Sequence, residues 1–393
     1  MILYFEKKFL KNINKLIDIH KNKLLICVSG GVDSMVLLNI LFKYKFKIGV
    51  CHINFNLRKN SIEEKHFIKS FCKKRLIPFY YKITNKIKKK VKESIQIDAR
   101  NIRYIFFYNI LKKKKYDFIL LGHNLDDSIE TFFINLFRGT GIKGLIGIQN
   151  KIKKKIVRPL LIFNKKEIKN YAYLSKIKYI EDKSNKKNKF FRNKIRNNLI
   201  PFIKNDIINN NFYKIFKKTI SYLNEENIII KNYVNNIFKK VILKKKEYPF
   251  YLKLNCSLIK KLIPLNFYLH YFFFPYGFNN IKNLKEILIT KSGKKLYSSK
   301  YELLKNRNSL IIIKRYKFIN KTFKIYNKKN KKNFFIKKPI FMFFLISKKK
   351  CIFSDAFLDM KKIKFPLYIR KWKHGDLFYP IGMNEKKKNK QIF

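Results

Sequence analysis

The sequence predicts an α/β fold: a doubly wound, mostly parallel sheet, then a helical middle domain and a small α+β C-terminal domain. Short apolar runs alternate with helix-like segments over about the first 165 residues, which is typical of βαβ units. A glycine-rich junction follows the first apolar run. The alternation then gives way to Lys-rich, largely helical sequence. These observations predict domains at 1–205, 206–325 and 326–393.

The first part of the chain supplies the strands and helices of the predicted sheet in turn. Short apolar runs predict strands at 23–28, 46–53, 78–83 and 118–121. The segments between or after them predict helices at 32–42, 62–75, 94–111, 126–137 and 165–179. Because strands that are separated by helices pair in parallel, we expect helices on both faces of the sheet.

The rest of the chain has a different pattern. A Lys-rich helix is predicted over 212–245, and 253–315 mixes apolar helices with a turn at Ser292-Gly293 and a strand at 310–314. The charge-rich segment 314–338 has no periodicity and is interpreted as a linker. Short strands are predicted at 341–346 and 367–369.

Net charge restricts the classes of partner. The 393 residues include 92 Lys and Arg against 24 Asp and Glu, a formal net charge of +68 at pH 7. Such an excess favours polyanions: nucleic acid, nucleotides or an anionic membrane. An A+T-rich coding sequence would also enrich Lys, Asn, Ile, Phe and Tyr, so charge alone does not decide. Hydrophobic residues make up 47%, enough for folded cores and unlike a disordered chain.

The cysteines and apolar segments argue against several protein classes. The five cysteines contain no CxxC pair, which argues against a zinc ribbon or dithiol site and fits a reducing compartment. The N-terminal segment carries Glu6, Lys7 and Lys8 instead of the apolar core of a signal peptide. The apolar stretches at 267–278 and 339–346 are shorter than the roughly 18–20 residues that span a bilayer. We therefore expect a cytoplasmic protein that does not enter the membrane.

The strongest local motif is Ser29-Gly30-Gly31-Val32-Asp33-Ser34, between the first strand and the helix that follows it. Two glycines allow the backbone to approach phosphate oxygens, and a helix N-terminus offers unpaired N–H groups with a partial positive charge. Ser29 and Ser34 add hydroxyl donors. Asp33 would repel a bare phosphate, so we expect it to hold a Mg²⁺ that bridges phosphates. The motif is not a Walker A loop, and its structural alternative is a turn capped by Asp33 or Ser34.

A second polar block follows the strand at 118–121, at the carboxyl edge where open α/β sheets bind ligands. The block is Gly122-His123-Asn124-Leu125-Asp126-Asp127-Ser128-Ile129-Glu130-Thr131. Asp127 and Glu130 lie at helical spacing, so they form an acidic stripe that can face a nucleotide. The alternatives are helix capping for Asp126 and Asp127 and a hydrogen-bonded surface position for His123.

These segments resemble, in order, the motifs of a known family. SGGxDS resembles the pyrophosphatase loop of the N-type ATP pyrophosphatases. The second block, followed by Arg138-Gly139-Thr140-Gly141, resembles the H-x-x-D-D-x-x-E-T…RG-x-G segment of bacterial tRNA(Ile)-lysidine synthases. Further matches are Glu93…Ala99-Arg100…Arg103-Tyr104, Arg158-Pro159-Leu160-Leu161, Asp182…Ser184-Asn185…Arg192-Asn193…Arg196…Pro201 and 369–383. The match is loose over 212–320, and Phe55 stands where the family often has a second His.

The resemblance implies a PP-loop, Rossmann-like catalytic domain and a specific ligase reaction. ATP adenylates the C2 oxygen of the wobble cytidine in CAU-anticodon tRNA(Ile) and releases pyrophosphate. The amine of free lysine then attacks C2, AMP leaves, and the lysidine formed changes codon specificity from AUG to AUA. ATP, Mg²⁺, lysine and tRNA(Ile) are the implied cofactors and partners, and a homodimer is left open.

Site residues are assigned from these motifs. Asp33, His123, Asp127 and Arg103 are expected to be catalytic, with Asp33 as the metal ligand. Arg100 and Arg103, one helical turn apart, are candidates to bind phosphate or adenylate. A carboxylate or a His is expected to take the proton from the lysine amine. ATP is expected to bind at Ser29, Gly30, Gly31, Val32, Asp33 and Ser34, and tRNA at Arg370, Lys371, Trp372 and Lys373.

Two other functions fit part of this pattern. A tRNA thiolase resembles the fold and also adenylates a base carbonyl, but such enzymes generally need paired cysteines or a cluster. A non-catalytic tRNA-binding protein, derived from a decayed synthase, would keep the basic surface. The intact loop and second block favour an active enzyme. The end of the chain at Phe393, where the family usually continues, favours an eroded or truncated C-terminal domain.

Overall fold

The computed structural model describes most of the chain as continuous segments. These are 1–55, 61–84, 92–152, 155–181, 191–207 and 211–315, with shorter pieces at 323–325, 333–336, 342–345, 365–369, 375–378 and 387–388. The chain forms two compact units, Met1–Ile230 and Lys231–Phe393. The division into three domains with boundaries after 205 and 325 stays a prediction.

A six-stranded sheet organises the first unit, and five of its strands run parallel. The strands are β1 (Leu24–Cys27), β2 (Ile48–Asn54), β3 (Phe79–Ile83), β4 (Phe118–Leu121), β5 (Lys151–Ile152) and β6 (Ile156–Val157). Their order is β3-β2-β1-β4-β6-β5, and only the edge strand β5 is antiparallel to its neighbour. The doubly wound parallel sheet and its four predicted strands are confirmed. The sequence did not predict β5 and β6, because two-residue strands leave no apolar run to detect.

Helices precede, connect and follow these strands. They are α1 (Ile2–Leu16), α2 (Val32–Lys43), α3 (Ser61–Lys73), α4 (Lys92–Lys113), α5 (Leu125–Phe137), α6 (Ile142–Leu145), α7 (Lys165–Leu174), α8 (Phe191–Lys194) and α9 (Ile200–Phe202), with a 3₁₀ turn at Pro159–Ile162 and π turns at Ile195–Leu199 and Ile203–Ile207. Five of these were predicted, namely α2, α3, α4, α5 and α7. The prediction ran α7 on to residue 179. The helix ends earlier because Lys176 takes a φ of +50° and the Ile177 N–H returns to the Ala172 carbonyl.

Helices pack on both faces of the sheet, which explains why its central strands β1 and β4 are apolar throughout. On one face Leu24 and Ile26 of β1 join a buried cluster with Phe9 of the unpredicted helix α1. On the other face Leu25 of β1 packs with Phe106 of α4. Because side chains alternate along a strand, a four-residue run is enough to build both cores.

A third cluster fixes the helix that follows β4. Leu125 and Ile129 of α5 pack against Ile195, Ile200 and Phe216. Phe216 belongs to α10 (Phe212–Val241), the long helix predicted over 212–245. The segment 191–200 is thereby held against the N-terminal half of α5, which carries the second polar block.

The second unit contains the helices expected for the middle of the chain and an antiparallel sheet. Its helices are α11 (Cys256–Lys260), α12 (Leu265–Phe273) and α13 (Ile281–Ile289), with a 3₁₀ turn at Phe274–Tyr276. Its strands are β7 (Ile242–Lys246), β8 (Tyr251–Asn255), β9 (Lys295–Tyr297), β10 (Tyr301–Asn306) and β11 (Ser309–Lys314), in the order β7-β8-β11-β10-β9. The sequence predicted only β11. Strand β7 was missed because its Lys-rich run continues the composition of α10.

Short strand pairs make up the described part of the C-terminal region. They are β12 (Phe323–Ile325) with β15 (Leu367–Ile369), β13 (Asn333–Ile336) with β14 (Met342–Leu345), and β16 (Leu377–Phe378) with β17 (Lys387–Lys388). β14 and β15 confirm the strands predicted at 341–346 and 367–369. Most of the linker predicted over 314–338 lies outside the described residues. Within the described part of the chain, no helix is long and apolar enough to cross a membrane.

Candidate active site

The strand order brings the two sequence motifs to one place. From β1 the chain adds β2 and β3 on one side, and then places β4 on the other side of β1. The loops after β1 and β4 therefore diverge from a switch point at the carboxyl edge, where open α/β sheets bind ligands. The loops touch at Gly122, where a Cβ would lie 3.1 Å from both the carbonyl carbon of Asp33 and the amide nitrogen of Ser34.

The loop after β1 is held in shape by its own polar groups. Gly30 takes a φ of +89°, which favours glycine, and Gly31 is the N-cap of α2. The buried Ser34 hydroxyl donates to the Gly31 carbonyl (2.8 Å) and accepts from the Ser29 N–H (3.2 Å). The Gly30 carbonyl accepts from the Ile180 N–H at 3.0 Å. Because the Ser34 hydroxyl donates its hydrogen bond within the loop, its geometry supports a role in holding the loop in shape. A contact between Ser34 and phosphate stays a prediction.

His52 supports the loop from behind. The ring is buried at the end of β2, and its Nδ1–H donates to the Val28 carbonyl at 2.9 Å, just before the loop begins. Burial lowers the pKa of His52, so the ring is held neutral. Its Nε2 has no hydrogen-bond partner among the residues that the structure describes. No role was predicted for His52 from the sequence.

Asp33 lies at the first turn of α2, where both of its carboxylate oxygens are engaged. Oδ1 accepts from the Asn124 amide at 3.2 Å, and Oδ2 accepts from the Lys165 ammonium at 2.6 Å. Burial raises the pKa of Asp33 and the negative charge of Asp127 adds to this, while Lys165 and the Asn124 hydrogen bond oppose it. Sequence reasoning missed Lys165, because nothing distinguished it among the 92 basic residues of the chain.

The second block begins α5 with a capping box. Asn124 is the N-cap: its Oδ1 accepts from the Asp127 N–H at 3.0 Å, and Asp127 Oδ2 accepts from the Asn124 N–H at 3.1 Å. Asp127 thus has the capping role that the sequence left open, and its Oδ1 makes a separate contact with Arg192. Asp126 binds the Lys165 N–H (2.6 Å) and the Tyr213 hydroxyl (2.9 Å), which ties α7 and α10 to this loop.

The predicted acidic stripe exists, but two arginines from the segment 191–200 cover it. Glu130, with its side chain 1% exposed, accepts from Arg192 Nε at 2.6 Å and from Arg196 Nη2 at 3.0 Å. Asp127, 16% exposed, accepts from Arg192 Nη2 at 3.0 Å. Two carboxylates and two guanidinium groups cancel in charge, so the stripe presents no bare acidic face. The sequence analysis included both arginines only as part of the resemblance.

His123 is oriented by an arginine that the sequence analysis gave no role. Arg158 is 1% exposed; its Nε donates to His123 Nδ1 at 3.2 Å and its Nη1 donates to the Gln149 carbonyl at 2.7 Å. Since Nδ1 accepts a hydrogen bond, the proton of the neutral ring is assigned to Nε2. Burial lowers the pKa of His123 to about 4, and the nearby Arg158 and Arg192 act in the same direction against Asp127. His123 is therefore a neutral hydrogen-bond donor and a poor general base.

The two arginines of α4 lie in different surroundings. The Arg103 guanidinium lies 5.5 Å from the centre of the Phe55 ring, and its charge acts on Cys27 and His52, at the ends of β1 and β2. Arg100 acts instead on His123, whose pKa it helps to lower. The structure thus places both near the carboxyl edge of the sheet, and their contacts with phosphate or adenylate stay predictions.

Comparison with known proteins agrees with this geometry. A family model described as a PP-loop domain matches residues 3–203, and one described as the TilS substrate binding domain matches 250–315. A tRNA(Ile)-lysidine synthase from Bacteroides thetaiotaomicron is 31% identical over 393 residues, which cover 99% of this chain and 86% of that protein. The chain belongs to the tRNA(Ile)-lysidine synthase family. It is an ATP-dependent ligase of the PP-loop class.

Other similarities are more partial. A tRNA(Ile)-lysidine synthase from Petrotoga mobilis is 37% identical over 230 residues, or 56% of this chain and 74% of that protein. Among solved structures, a U34-tRNA thiolase from Methanococcus maripaludis covers 57% of this chain and 80% of its own, with 20% identity and a TM-score of 0.46. That likeness is too low to support any statement about activity.

Some residues of the lysidine synthase motifs lie outside the described residues. These are Asp182, Ser184 and Asn185 of the segment before α8, and Arg370, Lys371, Trp372 and Lys373, which were predicted to bind tRNA. Their roles stay predictions.

The described residues fit a magnesium ion that is bound together with a nucleotide. Within the described part of the chain, no group of three or more His, Cys, Asp and Glu could hold a metal by itself. Mg²⁺ commonly takes only one or two carboxylates from the protein and the remaining ligands from phosphates and water. Asp33 offers one carboxylate at the first turn of α2, beside the loop.

The contact at Gly122 predicts that a Cβ added at this position would push the β1 and β4 loops apart. In Gly122→Ala the new methyl presses on the backbone of Asp33 and Ser34, so we expect ATP affinity to fall roughly tenfold with little change in Tm. Calorimetric titration with ATP and thermal unfolding measure the two effects.

Gly49→Ala is the matched control for this change. A Cβ there would lie 2.0 Å from the Tyr116 hydroxyl, in the buried core near the start of β2. It should lower Tm and leave ATP affinity unchanged in the folded protein. Equal loss of ATP affinity in the Gly49→Ala and Gly122→Ala variants would mean that ATP binding does not depend specifically on the contact between Gly122 and the Asp33–Ser34 backbone.

The Arg158–His123 contact predicts a histidine that titrates far below neutral pH. We expect a His123 pKa of about 4, against the ordinary 6.5, so the ring stays neutral as the pH falls from neutral and gains a proton only in acid. Arg158→Met removes a positive charge beside the ring and should raise this pKa, whereas Arg158→Lys should keep it low. Titration of ¹⁵N-labelled histidine by NMR measures both. An unchanged pKa in Arg158→Met would exclude this orienting role.

Proposed function

We propose that this chain ligates free lysine to C2 of the wobble cytidine of CAU-anticodon tRNA(Ile), forming lysidine by way of an adenylated cytidine. Pyrophosphate leaves in the first step and AMP in the second, and the product reads AUA in place of AUG. The observation that carries the proposal is the junction at the β1 and β4 loops. In a member of this family, the loop at 29–34 lies against Gly122 and Asn124, at the start of the block that carries His123 and Asp127, and this supports a shared site.

The nucleotide end of the site follows from α2 and its loop. The amide groups at the start of α2 and the positive end of its dipole suit the phosphates of ATP. Gly30 and Gly31 keep the approach to the backbone free of side chains. Asp33 would hold the Mg²⁺, which supplies charge neutralisation to the phosphates when bound.

The base end of the site follows from His123 and Asp127. A cytosine carbonyl oxygen is a poor leaving group, and adenylation makes it a good one. His123 donates from Nε2 and is suited to hold an oxygen that gains negative charge. Because its other nitrogen is occupied by Arg158, the proton of the lysine amine must go elsewhere. Asp127, which is more exposed than Glu130 on the same acidic stripe, is the proposed base.

The tRNA body requires further contacts. The match of 250–315 to the substrate binding domain of this family supports a role for the second unit in holding tRNA. Arg370, Lys371 and Lys373 are proposed to bind the backbone and Trp372 to stack on a base. A cytoplasmic location, where tRNA and free lysine are both present, completes the proposal.

The direct test is transfer of radiolabelled lysine to a CAU-anticodon tRNA(Ile) transcript in the presence of ATP and Mg²⁺. We expect label in the tRNA, together with equal amounts of AMP and pyrophosphate. A transcript with a U34 anticodon is the control and should stay unlabelled. In a parallel reaction that contains sulfide in place of lysine, sulfur incorporation would support the thiolase alternative. Binding of tRNA without any product in either reaction would support the decayed synthase.

Asp33 should be required for the first half of the reaction. In Asp33→Asn the loss of the metal ligand should slow tRNA-dependent ATP–pyrophosphate exchange on the order of a hundredfold while the fold survives. Asp117→Asn is the matched control, because Asp117 lies at the opposite edge of the sheet from the loop. There its carboxylate accepts a hydrogen bond of 2.9 Å from the Lys23 N–H. Exchange at the wild-type rate in Asp33→Asn would remove the assignment of the phosphate site.

The four predicted tRNA-binding residues should contribute to tRNA affinity in two different ways, the three basic residues through charge and Trp372 through stacking. Replacing Arg370, Lys371 and Lys373 by Ala should flatten the dependence of log affinity on log salt, by about 0.7–0.9 for each lost phosphate contact. Trp372→Ala should weaken tRNA binding by about 1–3 kcal/mol and leave the salt slope unchanged. Filter binding over a range of salt concentrations measures both. An unchanged slope in the triple variant would place the tRNA backbone elsewhere.

A further inference from the structure

We propose that Lys165 is an exchangeable counter-ion of Asp33, which it releases for a nucleotide phosphate when Mg²⁺ and ATP bind. The ammonium would thereby couple metal binding to nucleotide binding. The inference rests on the proposed use of Mg²⁺ and ATP at this loop, and it is independent of which tRNA or amine the enzyme takes.

The contacts of Asp33 require such an exchange. Its Oδ1 accepts from Asn124 and its Oδ2 from Lys165, the shorter of the two bonds at 2.6 Å. A divalent cation needs a free carboxylate oxygen. It can lie beside the neutral Asn124 amide but would be repelled by an ammonium at hydrogen-bond distance. Lys165 is therefore the group that must leave Asp33.

Lys165 is built so that only its charged end needs to move. Its backbone N–H is fixed to Asp126 Oδ2 at 2.6 Å, and the preceding Asn164 forms a capping box with Glu167. The side chain is 38% exposed, and four methylene groups join the fixed backbone to the ammonium. The charge can thus move by rotation of the side chain while α7 and the loop stay in place.

The surroundings of Asp33 favour a phosphate as the second partner of Lys165. Asp127 is the other carboxylate that acts on Asp33, and it is paired with Arg192. Glu167, two residues after Lys165 in α7, is paired with Lys8 and accepts a hydrogen bond from the Asn164 N–H. The phosphate groups expected beside the loop are the anions that arrive together with the metal ion, so they can accept the ammonium as Asp33 accepts the metal.

This exchange predicts effects of opposite sign in one variant. Lys165→Met removes the competitor for Asp33, so the free protein should bind a divalent cation more tightly. The same change removes a phosphate partner, so the protein should bind ATP more weakly. A purely structural lysine would weaken both or neither.

The test measures the two affinities separately in the full chain. Mn²⁺ alone, followed by electron paramagnetic resonance, reports the weak metal binding that the Asp33 carboxylate offers without nucleotide. Calorimetry with ATP in the presence of Mg²⁺ reports the affinity for the nucleotide. We expect Lys165→Met to bind Mn²⁺ roughly tenfold more tightly and ATP roughly tenfold more weakly, about 1.4 kcal/mol each. Lys166→Met, at the exposed neighbouring position, is the matched control and should match the wild type in both.

Lys165→Gln is a second test variant, because its side chain keeps a hydrogen-bond donor for Asp33 but carries no positive charge. It should show the same signs as Lys165→Met, and circular dichroism shows whether both variants are folded. Loss of both affinities, or no change in either, would overturn the proposal. The assays contain no tRNA and no lysine, so a failure of lysine transfer would overturn the proposed function and leave this result in place.

Discussion

The hydrogen bond between Asn124 and Asp33 joins the two halves of the site. Asn124 is the N-cap of α5, so the same side chain begins the helix that carries Asp127 and Glu130 and holds the carboxylate at the start of α2. This contact is possible because β4 lies next to β1, although β2 and β3 come between them in the sequence. Gly122 lets the loops approach to within backbone contact. The relative position of the phosphate loop and the acidic helix depends on this junction.

The carboxylates that the structure describes at the junction all have hydrogen-bond partners. Asp33 is paired with Lys165, the Asp127 and Glu130 carboxylates with Arg192 and Arg196, and the His123 ring with Arg158. Buried charges are expensive without such partners, so the pairs keep the site stable in the absence of substrates. In the proposed exchange, Mg²⁺ takes the place of Lys165 at Asp33, while Arg158 stays on the His123 ring.

The sequence predicted the motifs of this site and missed the residues that set their charge states. The loop at 29–34 and the block at 122–131 could be found because glycines and clustered carboxylates after short strands are unusual. Lys165 could not, since a single basic residue leaves no pattern in a chain with a net charge of +68. Arg158 was noticed only as part of a matched motif, and no role was predicted for His52. The role of His123 was equally hidden, because the proton position depends on a contact between residues 35 positions apart. The parallel sheet was predicted well, whereas Lys-rich strands such as β7 resembled the helix before them.

The most direct measurement of a single shared site is amide hydrogen–deuterium exchange with and without ATP and Mg²⁺. If the two loops bind the nucleotide together, exchange should slow in Ser29–Ser34 and in Gly122–Asp127 at the same ATP concentration. Residues 250–315 should not change. Protection that is confined to the first loop, with 122–127 unaffected at saturation, would contradict the central claim that the β1 and β4 loops form one site.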